Sequence, residues 1–199
     1  MLKISYATFA GLLLLTACSG REKPNDTNLR NAINQYLQTH GQACTSIGQQ
    51  FPVDISESQH PAFGIASRMA ALERVGLVQS TDTESNAPQI FGGTILRSVK
   101  RYLPTATGRN YLKRTQSSSM SAAEFCYGTK TVDKIVTWTK PVPVEPYMQI
   151  QVAYTYKIPD LASWAKNPDV QEQFNDIGTT VSGISKTSEL AGLQLTNHG

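Results

Sequence analysis

Period-two alternation near the C-terminus constrains the fold of this chain more than any other feature. From Met148 to Ile158, strongly apolar residues at even positions alternate with mostly polar residues at odd positions. Successive strand side chains point to opposite faces, so the pattern predicts a strand with one packed face and one wet face. Thr131 to Thr139 is a second predicted strand. We expect a stiff loop, Pro141 to Pro146, to join them, because proline donates no ladder hydrogen bond.

Helical spacing dominates the N-terminal half. Leu29, Ile33, Tyr36 and Leu37 recur on one face, which predicts a helix that ends at Gly41, with Asp26 or Thr27 as its N-cap. A second helix is predicted to begin at Pro61 and to end at Gly76. Residues 44–58 are interpreted as irregular with a short extended piece near Phe51 to Ile55, Ser80 to Pro88 as a polar loop, and Ile95 to Leu103 as extended. We therefore expect an α+β fold, with a helical N-terminal half packed against an antiparallel β-rich C-terminal half.

Two short motifs carry a resemblance to a known fold. They are Leu72-Glu73-Arg74-Val75-Gly76-Leu77-Val78 and Tyr102-Leu103-Pro104-Thr105-Ala106-Thr107-Gly108-Arg109. Residues 28–115 resemble a winged-helix domain, many members of which carry a helix-to-strand Gly-Leu step and a later Thr-x-x-Gly. Pro104 departs from the family, where a leucine usually stands. The resemblance implies a winged-helix-like region over 28–115, with an antiparallel β region over 116–199 in the same globule.

The N-terminus has the features of an export signal. Lys3 precedes an apolar run from Ile4 to Leu15, and small residues lead to Cys18. The run is about 12 residues long, against roughly 20 needed to cross a bilayer, which argues against a membrane-spanning helix. We find no other stretch apolar enough to span a membrane.

The end of this segment resembles the lipobox of bacterial lipoproteins, with Leu15-Thr16-Ala17-Cys18 as the matching residues. The resemblance implies that residues 1–17 are removed, that Cys18 is lipidated, and that residues 18–27 form a tether. Ser19 stands where an aspartate would signal inner-membrane retention in that family. We therefore expect anchoring on the periplasmic face of an outer membrane, or on the cell membrane if the source is Gram-positive.

Cysteine usage predicts a disulfide. Besides Cys18, the chain contains only Cys44 and Cys126. An oxidising compartment favours a bridge between two such cysteines, and we expect Cys44 and Cys126 to form one. Two buried free thiols are the alternative.

Charge is uneven along a nearly neutral chain. The net charge is +3, which favours neither nucleic-acid binding nor an acidic solvating tail. Residues 85–123 nevertheless contain no Asp or Glu. The six basic residues of this segment are Arg97, Lys100, Arg101, Arg109, Lys113 and Arg114. They predict contact with anionic envelope material, such as a lipid head group, a polymer or an acidic protein. The alternative is a solvated surface, and export argues against nucleic acid as a partner.

Catalytic and metal-binding motifs are missing from the sequence. Ser163-Trp164-Ala165-Lys166 matches the Ser-x-x-Lys of penicillin-binding proteins, but Ser-Asp-Asn and Lys-Thr-Gly do not occur. His40, His60 and His198 lie far apart, without metal-ligand spacing. We therefore expect no cofactor, no metal and no catalytic residue. The predicted function is a non-catalytic binding or scaffold module of the cell envelope. An envelope hydrolase with an unfamiliar site and a periplasmic inhibitor or defence protein are the alternatives.

Overall fold

The computed structural model describes residues 24–56, 64–88, 92–114 and 122–195. The helices in this part are α1 (Asp26–His40), α2 (Gly64–Arg74), α3 (Ala106–Tyr111), α4 (Pro168–Gln173) and α5 (Asn175–Ser182), with a 3-10 turn at Ser163–Lys166. The strands are β1 (Gln42–Ser46), β2 (Val53–Ser56), β3 (Val78–Pro88), β4 (Thr94–Pro104), β5 (Leu112–Arg114), β6 (Ala123–Thr129), β7 (Thr131–Trp138), β8 (Val142–Val144), β9 (Tyr147–Lys157) and β10 (Ser188–Leu195). The predicted signal peptide, Cys18 and the predicted helix start at Pro61 lie outside the described residues.

These strands form three antiparallel sheets. Sheet A has the order β1-β6-β5, and sheet B has the order β2-β4-β3. Sheet C has the order β10-β9-β7, and β8 also pairs with β9. A single residue, Lys130, separates β6 from β7, so the chain passes directly from sheet A into sheet C.

The expected division into a helical half and a β-rich half is wrong. The N-terminal half contains five strands, β1 to β5, and β1 and β5 both pair with β6 of the C-terminal half. The two halves therefore share a sheet and are both mixed in secondary structure. The error arose at β1, where five residues give too short an alternation to recognise, and at β3, most of which was interpreted as a polar loop. The extended piece predicted near Phe51 to Ile55 corresponds to β2. The likeness of the quoted motifs to winged-helix proteins stays a prediction.

The alternation from Met148 to Ile158 does correspond to a strand, β9. Ile150, Val152, Tyr154 and Tyr156 are all buried on one face. The proline-rich link that follows β7 is partly a strand, since β8 pairs with the start of β9. The even-numbered face of β9 therefore forms part of the core, as the period-two pattern requires.

Helix α1 packs along β7, in the opposite direction. The cap is Asn25, whose side chain accepts a hydrogen bond from Asn28 N at 3.0 Å, so the predicted cap at Asp26 or Thr27 is wrong. Further along the helix, Arg30 donates to the carbonyl oxygen of Asp133 at 2.7 Å. Near its end, the amide of Lys130 donates to the carbonyl oxygen of Gly41 at 2.8 Å. Residues further along β7 therefore contact residues nearer the start of α1.

An aromatic cluster joins the 3-10 turn to sheet A. Trp164 is buried and makes edge-to-face contacts with Tyr111, Phe125 and Tyr127, with ring centroids 5.9 to 6.3 Å apart. Each such contact contributes about 0.5–1.5 kcal/mol beyond the area that it buries. The cluster fixes β6 and therefore positions the residues on either side of Cys126.

Candidate functional site

A disulfide joins two strands of sheet A next to the candidate site. Cys44 and Cys126 are paired residues in the register of β1 and β6, and they are bonded across 82 positions of sequence. The predicted bridge is therefore confirmed. Each cysteine borders a different solvent-filled groove, with Cys44 lining one and Cys126 lining the other.

The groove next to Cys44, which we call the polar groove, has a volume of about 360 Å³. It lies where the end of α1 meets β1, β9, β10 and α5. Its polar and aromatic lining includes Tyr36, His40, Lys130, Tyr154, Asp176 and Glu189. The volume is in the lower part of the range found for small-molecule sites. A small ligand or a short segment of a larger partner would therefore fit.

An ion-pair network forms one wall of the polar groove. Lys130 Nζ lies 2.5 Å from Glu189 Oε1, and the hydroxyl of Tyr154 donates to Glu189 Oε2 at 3.0 Å. The Lys130 ammonium also lies 4.3 Å from the centre of the Tyr156 ring. The side chains of Lys130 and Glu189 are 23% and 29% exposed, so the network faces solvent but is largely shielded from it.

Burial keeps the tyrosines of this wall protonated. Burial first, and the hydrogen bond to Glu189 second, raise the pKa of Tyr154 far above its ordinary value. Burial also raises the pKa of Tyr156 and of Tyr127. At neutral pH the Tyr154 hydroxyl is therefore a hydrogen-bond donor to the Glu189 carboxylate and not a base.

The opposite wall of the polar groove is an aromatic pair. The rings of Tyr36 and His40, one turn apart on α1, are stacked with centroids 4.3 Å apart and planes 6° apart. His40 Nδ1 lies 2.7 Å from the hydroxyl of Thr39. Tyr36 is 59% exposed, so this wall presents a flat aromatic surface to solvent. Such a surface suits planar groups and the apolar faces of sugars or side chains.

The groove next to Cys126 is of similar size, about 340 Å³. Asn110, Tyr111, Lys113 and Asp160 contribute to its lining. Asp160 Oδ1 already accepts a hydrogen bond from Thr129 N at 3.0 Å. Its carboxylate therefore has a structural role in holding the end of β6.

The six basic residues of the acid-free segment lie on three different elements. They are distributed over β4 (Arg97, Lys100, Arg101), α3 (Arg109) and β5 (Lys113, Arg114). Arg101 makes two hydrogen bonds of 2.7 Å to the carboxylate of Asp54, which lies opposite it on β2. This contact lowers the pKa of Asp54 below its ordinary value. Arg101 is therefore a structural residue of sheet B.

Two more of these basic residues lie opposite an acidic residue on a neighbouring strand, and a third donates to a backbone carbonyl oxygen. Lys100 is the register partner of Asp82, and Lys113 is the register partner of Glu124. Arg109 donates to the carbonyl oxygen of Pro104 at 3.0 Å. Arg97 is exposed and is the register partner of Ser85, an uncharged residue. Among the basic residues of β4, and within the residues that the structure describes, Arg97 thus has no acidic register partner, whereas Lys100 has Asp82 on β3 and Arg101 has Asp54 on β2.

The Ser-x-x-Lys match lies on the 3-10 turn. Ser163 and Lys166 are both exposed, while Trp164 between them is buried in the aromatic cluster. Gln171 stabilises the turn, because its side chain donates to the carbonyl oxygen of Ala165 at 2.8 Å. The segment therefore has a clear packing role through its tryptophan.

Sequence reasoning missed the polar groove. Lys130 and Glu189 are 59 positions apart and belong to no motif. One signal was available, since Glu189 interrupts an otherwise apolar set at Ala191, Leu193 and Leu195 on the same face of β10. A lone carboxylate on the packed face of a strand requires a partner.

Three negative findings apply to this site. Within residues 24–56, 64–88, 92–114 and 122–195, no three His, Cys, Asp or Glu side chains are grouped so that they could hold a metal ion. No helix in those ranges is long and apolar enough to cross a membrane. No family model, curated protein or solved structure matches this chain.

Proposed function

We propose that this protein is a lipid-anchored cell-envelope protein that acts as a non-catalytic binding module, with the polar groove as its binding surface. The lipobox-like residues Leu15 to Cys18 support the anchor. Ser19, which stands where an aspartate would signal inner-membrane retention in the lipoprotein family, supports a location on the periplasmic face of an outer membrane. The partner would be an envelope protein or an envelope polymer.

The network of Lys130, Tyr154 and Glu189 is the observation that carries this proposal. Each oxygen of the Glu189 carboxylate accepts one of the two hydrogen bonds described above, and the lysine is held by both the carboxylate and a ring face. These contacts hold Lys130, Tyr154 and Glu189 in place before a partner arrives. Such preorganisation lowers the entropic cost of binding.

The aromatic wall supplies the contact area that the network does not. Tyr36 is a rigid, amphipathic side chain that loses little conformational entropy when a partner covers it. Because the ring already stacks on His40, its orientation is fixed before binding. We therefore expect the partner to cover Tyr36 and to reach the network with its polar groups.

The test compares two exposed side chains. The soluble chain, with its disulfide intact, is immobilised and exposed to a detergent-free envelope extract, and bound material is eluted and quantified. Tyr36→Ala is the groove variant, and Leu96→Ala is the matched control, since Leu96 is similarly exposed (65% against 59%) but lies on β4, outside the groove. We expect Tyr36→Ala to lose a specific partner that wild type and control retain. Identical elution profiles from all three would contradict the proposal.

A further inference from the structure

The turn between β8 and β9 carries exposed apolar side chains at the end of a projecting hairpin. We call residues 141–147 the hairpin tip. Val142, Val144 and Tyr147 are 51%, 49% and 51% exposed. Val144 is the register partner of Tyr147, and Val142 is the partner of Gln149, so the three apolar side chains share one face.

Prolines make this tip suited to a water-poor environment. Pro141, Pro143 and Pro146 have no backbone N–H. An N–H group moved out of water without a partner costs free energy, so a segment with fewer donors enters an apolar phase at lower cost. The same prolines weaken the edge of sheet C as a template for another strand. The composition thus favours a lipid surface over a partner that adds a strand.

The start of α1 and the hairpin tip point towards the same end of the molecule. Helix α1 runs antiparallel to β7, and β7 continues through residues 139–141 into β8. The start of α1 at Asp26 therefore lies towards the end of the molecule at which the hairpin projects. A lipid attached at Cys18 would hold this end against a bilayer.

The lengths of β9, of α1 and of the segment from Cys18 to Asn25 agree with this placement. The strand from the level of Val132 to the tip covers nine residues of β9, or about 30 Å. Helix α1 from Asn34, which accepts a hydrogen bond from Val132, back to Asp26 covers about 12 Å. The tip therefore lies roughly 18 Å beyond the start of α1. Seven residues from Cys18 to Asn25 span at most about 25 Å, which is enough for lipid and tip to reach one membrane surface.

We propose that the hairpin tip is a second membrane contact, which enters the interface of the bilayer that holds the N-terminal lipid. This inference rests on the proposed lipid anchor. Tyrosine rings favour the interfacial region, where Tyr147 would lie. The exposed flanking charges, Lys140 and Glu145, are opposite in sign. The contact is therefore apolar in character and insensitive to salt, and it orients the domain relative to the membrane.

The experiment tethers the protein chemically, so that it does not depend on lipidation in cells. With Cys44 and Cys126 bridged, Cys18 is the one free thiol of the chain from Cys18 onward, and it is coupled to a maleimide lipid in zwitterionic vesicles. The tip reporter is Tyr147→Trp and the control reporter is Leu190→Trp, each in a Trp138→Phe background. Leu190 is 75% exposed on the same face of sheet C, about 20 Å from Tyr147 along β9. Trp164 is buried and gives a constant background.

Vesicles with brominated acyl chains quench tryptophans that enter the membrane. We expect loss of fluorescence from the Tyr147→Trp reporter, unchanged between low and high salt, and no loss from the Leu190→Trp reporter. Equal quenching of the two reporters, or no quenching at Tyr147→Trp, would overturn the second contact. Failure of the lipid anchor is detected separately, as absence of lipid on Cys18 in cells, so the two outcomes are distinguishable.

Discussion

The backbone at Gly108 packs directly against the carbonyl group of Leu77. A Cβ at Gly108 would have no room beside the Leu77 oxygen. Thr105, the N-cap of α3, donates from its hydroxyl to the carbonyl oxygen of Gly76 at 2.6 Å and from its amide to that of Leu77 at 3.0 Å. The Gly-Leu step after α2 and the Thr-x-x-Gly that begins α3 therefore form one contact, which fixes α3 beside sheet B.

Gly108→Ala should destabilise the fold because the added methyl group meets backbone, which cannot rotate away. We expect a loss of about 1–3 kcal/mol in the free energy of unfolding, as found for overpacked sites. Gly192→Ala is the matched control, since its new Cβ would approach only the flexible end of the Gln149 side chain. Urea denaturation of the two variants measures the difference, and equal midpoints would contradict the packing described here.

Removal of the disulfide should also destabilise the fold, because the bond closes a long loop. The double variant Cys44→Ala, Cys126→Ala should lose about 2–4 kcal/mol in the free energy of unfolding, measured in denaturant. Thiol counting gives an independent check on a Cys18→Ser chain. Denatured but unreduced, that chain should show no free thiol, and detection of two would refute the bridge.

Stability should fall in alkaline solution because of the buried tyrosines. An unfolded tyrosine loses its proton near pH 10, while burial and the hydrogen bond to Glu189 raise the pKa of Tyr154 in the folded state. Above about pH 10 the folded state therefore binds more protons than the unfolded state, and the free energy of unfolding decreases as pH rises. The contribution is complete below pH 10 and is lost as pH rises through the folded pKa.

Tyr154→Phe should reduce that alkaline slope, because phenylalanine does not titrate. Unfolding midpoints of wild type and variant between pH 8 and about pH 11 provide the measurement. Tyr147→Phe, at an exposed tyrosine, is the control and should leave the slope as in wild type. A slope that is the same in all three proteins would show that Tyr154 does not carry this effect.

Charge reversal within the basic segment should separate binding from stability. Arg97→Glu should weaken co-sedimentation with anionic vesicles, most strongly at low salt, and should change the free energy of unfolding by under about 0.5 kcal/mol. Arg101→Glu should lower the melting temperature, because it removes the partner of Asp54 and places a like charge opposite it. Arg97→Lys preserves the charge and should bind as wild type does. Vesicle binding that Arg97→Glu leaves unaltered would count against anion contact at this position.

Features encoded over many consecutive residues, or by residue counts, were predictable from the sequence. The eleven-residue alternation predicted β9, and the pair of cysteines left after Cys18 predicted the bridge. The short strand β1 was not predictable, because its pairing partner β6 lies far along the chain and supplies most of its stability. Whether such a short segment forms a strand depends on the neighbouring strands and side chains against which it packs.

The candidate site was harder to predict than the fold, for a related reason. Lys130 and Glu189 meet only because β7 and β10 both flank β9. The basic segment shows the opposite case. Its residues are close in sequence, but β4 belongs to sheet B and β5 belongs to sheet A. Proximity along the chain is thus a poor guide to a surface built from strand partners.

Metabolic labelling with a palmitate analogue tests most directly whether a lipid on Cys18 anchors this chain to the envelope. Wild type and Cys18→Ala are expressed in a bacterial host with a lipoprotein-processing pathway, and label and fractionation are compared. We predict label and membrane association for wild type, and an unlabelled, uncleaved precursor for Cys18→Ala. Equal label on both proteins, or no label on either, would contradict this prediction.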